Sequence, residues 1–395
     1  MSRYIRTLQH PVIARLSLIQ LISYFGTWFS QVAIFSMLVE FKADAVLIAI
    51  TAATAMLPAV VLAPIIGIVI DRIPFKRLMT TLLIIEIAMT TSFTLINSIS
   101  LIWILLLLIF IRSAASSMLF SAEMSLFPKI IEGDMLKNTN EIHSIIWSFT
   151  YAAGMAAGGV VTYYLGYDTA FLIDAFLYTI ALFILLGLKL DLEIHEPKQT
   201  HIQMLKSGFA YLKGNQKILH LIFLHASLGL TSFDALVTLL ADFQYKELIA
   251  VPLAIGWINA IRATALMIGP FFIGRWINTQ NLHYFFILEG AAIIVWSQVQ
   301  FDFYWALVAL FGVGFFTSTL WSQTYLMLQE ETEKDFMGRV ISYNDMFFML
   351  SNIITALFIG YTSKWGLTLE EITFLLGIGF IAAAIYYLWF RKKYL

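Results

Sequence analysis

Glu86, Arg112, Asp234, Arg262 and Glu289 lie within long apolar stretches of this sequence. A charged group near a bilayer centre costs at least about 2.5–3.5 kcal/mol on insertion scales, so each of these needs a use. The chemistry open to such a carboxyl is reversible protonation. The guanidinium can pair with an acid or with charge on a solute. Spacing adds partners. Arg112, Ser116 and Glu123 follow i, i+4, i+11, which sets them on one face of a helix. Ser227, Thr231, Asp234 and Thr238 follow i, i+4, i+7, i+11 and make a polar stripe on an otherwise apolar run. Tyr24, Trp28 and Gln31 make a third stripe, partly aromatic. Such stripes serve either as glue between helices or as the lining of a cavity. Asp174 lies four residues into its apolar run and is expected at the outer interface. Arg262 is placed to pair with an acid that the sequence does not name.

Other chemistries find little support. There is no Gly-x4-Gly-Lys-Ser/Thr loop for ATP hydrolysis, and no nucleophile–base constellation in a loop, so an enzyme is not expected. The chain has no cysteine, which excludes disulfides and thiolate metal sites. Its 7 histidines form no His-x3-His pair and its 15 methionines are scattered, a pattern of packing rather than metal ligation. A net charge of -1 without a basic arm argues against nucleic acid. No cofactor is implied, and any work must be driven by an ion gradient.

The elements that must position these residues are membrane helices. The 395 residues are 60% hydrophobic and 12% charged, with mean hydropathy +0.83; soluble domains carry about 25% charged residues. Twelve apolar segments have roughly the length needed to cross a bilayer: 13–38, 46–70, 78–97, 100–121, 141–165, 170–188, 218–241, 250–274, 283–300, 303–327, 341–361 and 370–390. With the N-terminus inside, nineteen bases fall on cytoplasmic segments and only Lys42, Lys246 and Lys364 on outer loops. Both termini are therefore expected in the cytoplasm. The longest polar interval, 189–217, ends with Ile202, Leu205, Phe209 and Leu212 at helical spacing. It reads as a cytoplasmic linker with an amphipathic helix on the membrane surface. The expected domains are a six-helix bundle over 1–188, this linker over 189–217, and a second six-helix bundle over 218–395. Glu86 and Glu289, Gly159 and Gly360, and Pro64 and Pro270 recur at a nearly constant offset, as two parallel repeats would require. The small residues around Gly154, Gly158 and Gly159 permit close helix approach, which serves packing and could also serve gating.

Between the second and third segments, Gly67, Asp71, Arg72, Lys76 and Arg77 stand in the order Gly-x3-Asp-Arg-x3-Lys-Arg. This resembles the signature loop of the major facilitator superfamily, with Pro74-Phe75 in place of the family's Gly-Arg pair. Ser121 to Pro128, Asn138 and Asn140 followed by the glycines of the fifth segment, Phe171 to Asp174, and Gly338-Arg339 opening the eleventh are similar to further family stretches. The set looks most like the branch containing macrolide-efflux and enterobactin-exporter-like proteins.

The resemblance implies an all-α polytopic membrane protein of twelve transmembrane helices in two six-helix pseudo-repeats. It further implies a cavity lined by the first, fourth, seventh and tenth helices, and secondary transport by alternating access. On that footing Asp234, Glu86 and Arg112 are candidates for proton coupling. Tyr24, Trp28, Gln31, Ser116, Thr231 and Trp321 are candidates for cargo contact. Third and ninth helices are peripheral in the family, so Glu86 and Glu289 remain open as neutral packing acids. Gly67, Asp71, Arg72, Lys76 and Arg77, with Gly338 and Arg339, are candidates for a cytoplasmic gate. There Asp71 would meet the amide end of the eleventh helix, and the bases would hold acidic lipid headgroups. The expected protein is a monomeric, proton-coupled exporter of an amphipathic small molecule (a drug, siderophore-like compound or lipid-like solute) in a bacterial cytoplasmic (inner) membrane. Its partners would be cargo, protons and membrane lipids. An importer, facilitator or metal-ion exporter on the same fold is the alternative; a non-transporting membrane sensor or scaffold is a further one.

Overall fold

Backbone amides and carbonyls have no water to bond in a bilayer, so an apolar run of this length must satisfy them internally, as a helix does. The computed structural model of the chain shows that outcome. It describes residues 3–188, 210–333 and 336–395, with Pro64, Gly67, Ile68 and Asp71 described by backbone alone. The helices are α1 (Arg3–Thr7), α2 (Pro11–Glu40), α3 (Ala45–Val61), α4 (Ala63–Arg72), α5 (Phe75–Ser92), α6 (Ile102–Ile130) and α7 (Gly133–Leu186). After the linker come α8 (Gln216–Ala226), α9 (Asp234–Leu239), α10 (Val251–Ile273), α11 (Leu282–Val299), α12 (Phe303–Glu331), α13 (Met337–Lys364) and α14 (Leu369–Tyr394). Among the described residues ten helices are long and apolar enough to cross a membrane. Large apolar side chains such as Trp103, Phe176, Phe183 and Phe271 are exposed on their outer faces, where lipid replaces water as the surrounding medium. Most of the linker, including Ile202, Leu205 and Phe209, lies outside the described residues.

Two of the expected segments depart from single straight helices, and prolines explain one of them. The second run divides into α3 and α4 at Leu62, because Pro58 and Pro64 each lack the amide that an unbroken ladder would use. The expected signature loop is mostly helical too: α4 continues through Asp71 to Arg72, and only Ile73 and Pro74 separate it from α5. Ile73 is extended (φ -105, ψ 131), as the residue before a proline prefers, and Pro74 caps α5. Ile73 and Pro74 alone thus make the connection.

The fifth and sixth runs share one 54-residue element, α7, interrupted at Gly166 (φ 80, ψ 163). The chain reverses there. Gly154, before the break, lies against Trp28 and Phe25, while Asp174, after it, lies against Gly26; both limbs therefore meet α2 at the same level. That backbone conformation is essentially glycine-only and costs other residues about 1–3 kcal/mol. Gly166→Ala is expected to lower the thermal midpoint in a scanning fluorimetry melt; an unchanged midpoint would show that the reversal tolerates a Cβ.

The described chain forms two compact units. Unit 1 comprises Met1–Lys42, Leu62–Lys198 and Pro252–Ala260, and unit 2 comprises Ala43–Val61, Gln199–Val251 and Ile261–Leu395. The core of unit 1 joins Ile13 and Leu16 of α2, Leu78 and Leu82 of α5, Leu119 and Phe127 of α6, and Tyr178 and Leu185 of α7. Gly159 of α7 approaches Gly256 of α10 so closely that a Cβ on either would fall within 3.2 Å of the other's Cα. In unit 2, Gly360 of α13 packs on Ala45 and Ala49 of α3 in the same manner, and Gly290 of α11 packs on Gly377 of α14. Small residues bring these backbones together.

Candidate functional site

In unit 1 the buried charges converge. Arg112 projects from the middle of α6, 7% exposed, between Glu86 of α5 at 1% and Asp174 of α7 at 0%. Its terminal nitrogen donates to Asp174 Oδ2 at 2.7 Å, and its Nε makes an ion pair with Glu86 Oε2 at 3.1 Å. The Ser30 hydroxyl of α2 also donates to Asp174 Oδ2. Tyr178 Oη lies 3.5 Å from the guanidinium and 2.7 Å from the Thr27 hydroxyl, and the Phe93 and Tyr178 rings flank the cation at 5.8 Å. Ser116 stands beside Glu86 one turn along α6. Asp174 Oδ1 and both Glu86 oxygens have no hydrogen-bond partner. Gly26 makes room for the cluster, since a Cβ there would sit 2.1 Å from Asp174 Oδ1.

This geometry corrects one expectation. Asp174 is not at the outer interface; it is the direct partner of Arg112. The reversal at Gly166 carries its helix back alongside α2 within two turns, and the glycine opposite lets the carboxylate enter. Glu86, left open as a neutral packing acid, stands at ion-pair distance from the same base. One cation thus faces two carboxylates in an apolar surrounding. With both acids ionised the cluster carries one net negative charge.

The polar stripe of the seventh run is not one helical face. Beyond α8 the chain tightens to a 3₁₀ turn over Ser227–Thr231, leaves helical geometry at Ser232 (ψ 79), resumes as α9, and widens into a π-helical stretch over Leu240–Tyr245. The Ser227, Thr231 and Thr238 hydroxyls bond backbone carbonyls of their own segment. Asp234 begins α9 and feels the charge of Arg262. Arg262 donates to the Thr231 carbonyl at 2.6 Å and lies over the Phe233 ring at 5.0 Å. It has no ion pair among the described residues. Glu289, fully buried, accepts from the Thr317 hydroxyl at 2.7 Å.

Of the expected cargo residues, Tyr24 meets the His143 ring at 5.8 Å and Trp28 lies against Tyr151 at 4.3 Å, both within unit 1. Gln31 and Ser116 are half-buried. Trp321 belongs to unit 2, where it stacks on Tyr325 at 4.8 Å beside His225. Of the expected gate residues, Gly67 and Asp71 are described by backbone alone. Arg72 and Arg77 are exposed, and Gly338 has open space around it. Lys76 meets the end of a neighbouring helix. Its ammonium donates to the Leu186 and Leu188 carbonyls at 2.7 and 2.9 Å, and Arg15 donates to the Gly187 carbonyl beside them. These are the unpaired carbonyls at the negative end of α7, which attract a base. Arg339 lies over the Phe336 ring at 5.0 Å, and that ring stacks on Tyr211 at 4.1 Å.

The sequence pattern of the Major Facilitator Superfamily matches residues 16–356, and the chain belongs to that superfamily. It is an integral membrane protein of a transporter family rather than an enzyme. No curated protein matches it in sequence. Solved structures share its fold at low identity. The nucleoside transporter NupG superposes with TM-score 0.75 at 15% identity, covering 98% of this chain and 100% of that one. A bacterial homolog of the human lysosomal transporter Spinster, inward-facing and unoccupied, gives TM-score 0.78 at 13% identity, covering 99% and 98%. A bacterial homologue of the iron transporter ferroportin, inward-facing, gives 0.75 at 14%, covering 97% and 99%.

Proposed function

We propose that this chain is a monomeric secondary transporter that exports an amphipathic small molecule in exchange for protons, by alternating access of two halves, residues 1–188 and 218–395, joined by the linker 189–217. The observation that carries the reading is the cluster of Glu86, Arg112 and Asp174: one buried cation held by two buried carboxylates from different helices. A packing role alone would favour apolar residues of similar volume, since buried ion pairs are often neutral or costly relative to them. A cluster that takes up a proton in one conformation and releases it in another gives the charge a use. Asp234, beside Arg262 in unit 2, is a second candidate carboxyl. The excess of bases on alternate connections favours both termini in the cytoplasm of a bacterial inner membrane. A nucleoside transporter and a bacterial homologue of an iron transporter, at 15% and 14% identity, support transport in general and not one cargo.

The test is proton release and flux in proteoliposomes of defined orientation. Asp174→Asn keeps the shape and a partial hydrogen bond to Arg112 but removes an exchangeable proton site. It is expected to abolish accumulation driven by a pH gradient while leaving exchange of cargo across the membrane measurable. Asp234→Asn is the companion variant. Full gradient-driven accumulation in both would show that neither carboxyl couples, and uptake only into right-side-out vesicles would turn export into import.

A further inference from the structure

We propose that Glu123 and the aromatic side chains around it form a binding site for a lipophilic organic cation. This rests on the transporter reading for the use of the site, and names the chemical class of its cargo.

Gln20, Tyr24 and Trp28 recur at i, i+4, i+8 on α2, and His143, Trp147 and Tyr151 recur at the same spacing on α7. The two rows face each other. Tyr24 meets His143 edge-on at 5.8 Å, and Trp28 meets Trp147 at 5.8 Å and Tyr151 at 4.3 Å. From α6, Phe120 reaches His143 at 5.3 Å, and Glu123 accepts from Gln20 Nε2 at 2.9 Å. Where the rows meet Glu123, the buried Gln20 Oε1, Trp28 Nε1 and His143 Nδ1 have no hydrogen-bond partner among the described residues, while the Tyr24 hydroxyl faces the Glu123 carboxyl. Each such atom costs about 1–3 kcal/mol when nothing satisfies it. Helix packing alone would select apolar side chains here, so this concentration of unsatisfied groups points to a ligand.

The charge says which kind. Glu123 is fully buried and has no ion pair among the described residues. Arg112, on the same helix, is eleven residues away, about 16 Å along the axis, and is held by Glu86 and Asp174. The carboxyl therefore has no counter-cation among the described residues; the Tyr24 phenol stands beside it, and the Trp28, Trp147 and Tyr151 rings continue the same two rows. An acid at the end of an aromatic row is an arrangement that attracts an organic cation, through charge at one end and ring faces along the rest. Trp147 and Phe120 are 38% and 41% exposed, which leaves an apolar edge of the cluster uncovered by protein.

The probes are tetraphenylphosphonium and tetraphenylborate, bodies of one shape and opposite charge. Binding to the purified full-length protein is read from indole fluorescence, with partition into protein-free micelles subtracted. Tetraphenylphosphonium is expected to bind and to protect the protein from thermal unfolding by mass action, and tetraphenylborate is not. Glu123→Gln, which keeps size and the bond to Gln20, is expected to weaken cation binding at least about thirtyfold. Trp147→Ala, partly exposed and so tolerant of truncation, is expected to weaken it about tenfold. Equal binding of both probes, or wild-type affinity in Glu123→Gln, would overturn the site. Because binding is read without a gradient, the two proposals fail separately. Cation binding without proton-driven flux would overturn the exchange mechanism and leave the site standing. Proton-driven flux of a neutral solute without cation binding would do the reverse.

Discussion

Arg112→Ala is expected to be the most damaging single substitution in this protein. It would leave Glu86 and Asp174, 1% and 0% exposed, facing each other across an unfilled space without the cation that holds both. Removing one member of a buried ion pair costs about 3–5 kcal/mol, because the remaining charge is uncompensated. Here two acids are stranded, so the effect should reach or exceed that range. The measurement is a melt of the purified variant alongside the wild type. Arg112→Lys keeps the charge but not the planar fork, whose Nε and terminal nitrogen address the two acids separately. It should fold better than the alanine variant and still transport poorly. Stability and function separate in the triple change Arg112→Met, Glu86→Gln and Asp174→Asn, which removes all three charges together. That variant should recover most of the lost stability and none of the proton-driven accumulation. Coupled transport in the triple variant would reduce the cluster to a structural strut, and a wild-type melt for Arg112→Ala would remove even that role.

The fold was readable because its signal is repeated: apolar runs of crossing length, bases on alternate connections and the Gly-x3-Asp-Arg motif all point to one architecture. The site was readable only in part, and each miss has a physical cause. A charge in a span announces that it needs a partner, so Arg112 and Glu86 stood out. Which acid reaches which base depends on how helices distant in sequence are rotated against each other. Asp174 was placed by counting residues from the start of its run, a measure of depth that is blind to the neighbouring helix. The signal lay opposite, in Gly26, whose missing side chain makes the space. The stripe of Ser227, Thr231, Asp234 and Thr238 assumed a constant 3.6-residue period, which the 3₁₀ turn and the break at Ser232 interrupt. The repeat was legible in Glu86 and Glu289, yet their surroundings differ. At nearly the same offset, Arg112 of α6 gives way to Thr317 of α12, so the first acid pairs with a cation there and the second with a hydroxyl, while the base that acts on Glu289 is Arg262 of α10. The two repeats thus share a carboxyl position and draw their base from different helices.

Gly26→Ala is expected to act through Asp174 alone, and a thermodynamic cycle can show it. The added Cβ would lie 2.1 Å from Asp174 Oδ1 and 3.1 Å from its Cγ, with Leu177 the next atom at 3.6 Å. No atom pair of this kind tolerates the first separation, so the carboxylate must withdraw. It is not free to do so: Arg112 and Ser30 both hold its other oxygen. Overpacking of this size typically costs about 1–3 kcal/mol, and the displaced acid would also lose part of its bond to Arg112. In the Asp174→Ala background the obstructing oxygen is gone, and Arg112 retains Glu86 as a single counter-charge. The same Gly26→Ala change should then cost little, since a glycine inside a helix is disfavoured relative to alanine. The expected result is a coupling of about 1–3 kcal/mol between the two positions, within the range seen for residues in direct contact. Proton-driven transport should fall in Gly26→Ala as it does in Asp174→Asn. Additive effects on stability would mean that Gly26 and Asp174 do not share this space, and would remove the reason for a glycine at the centre of α2.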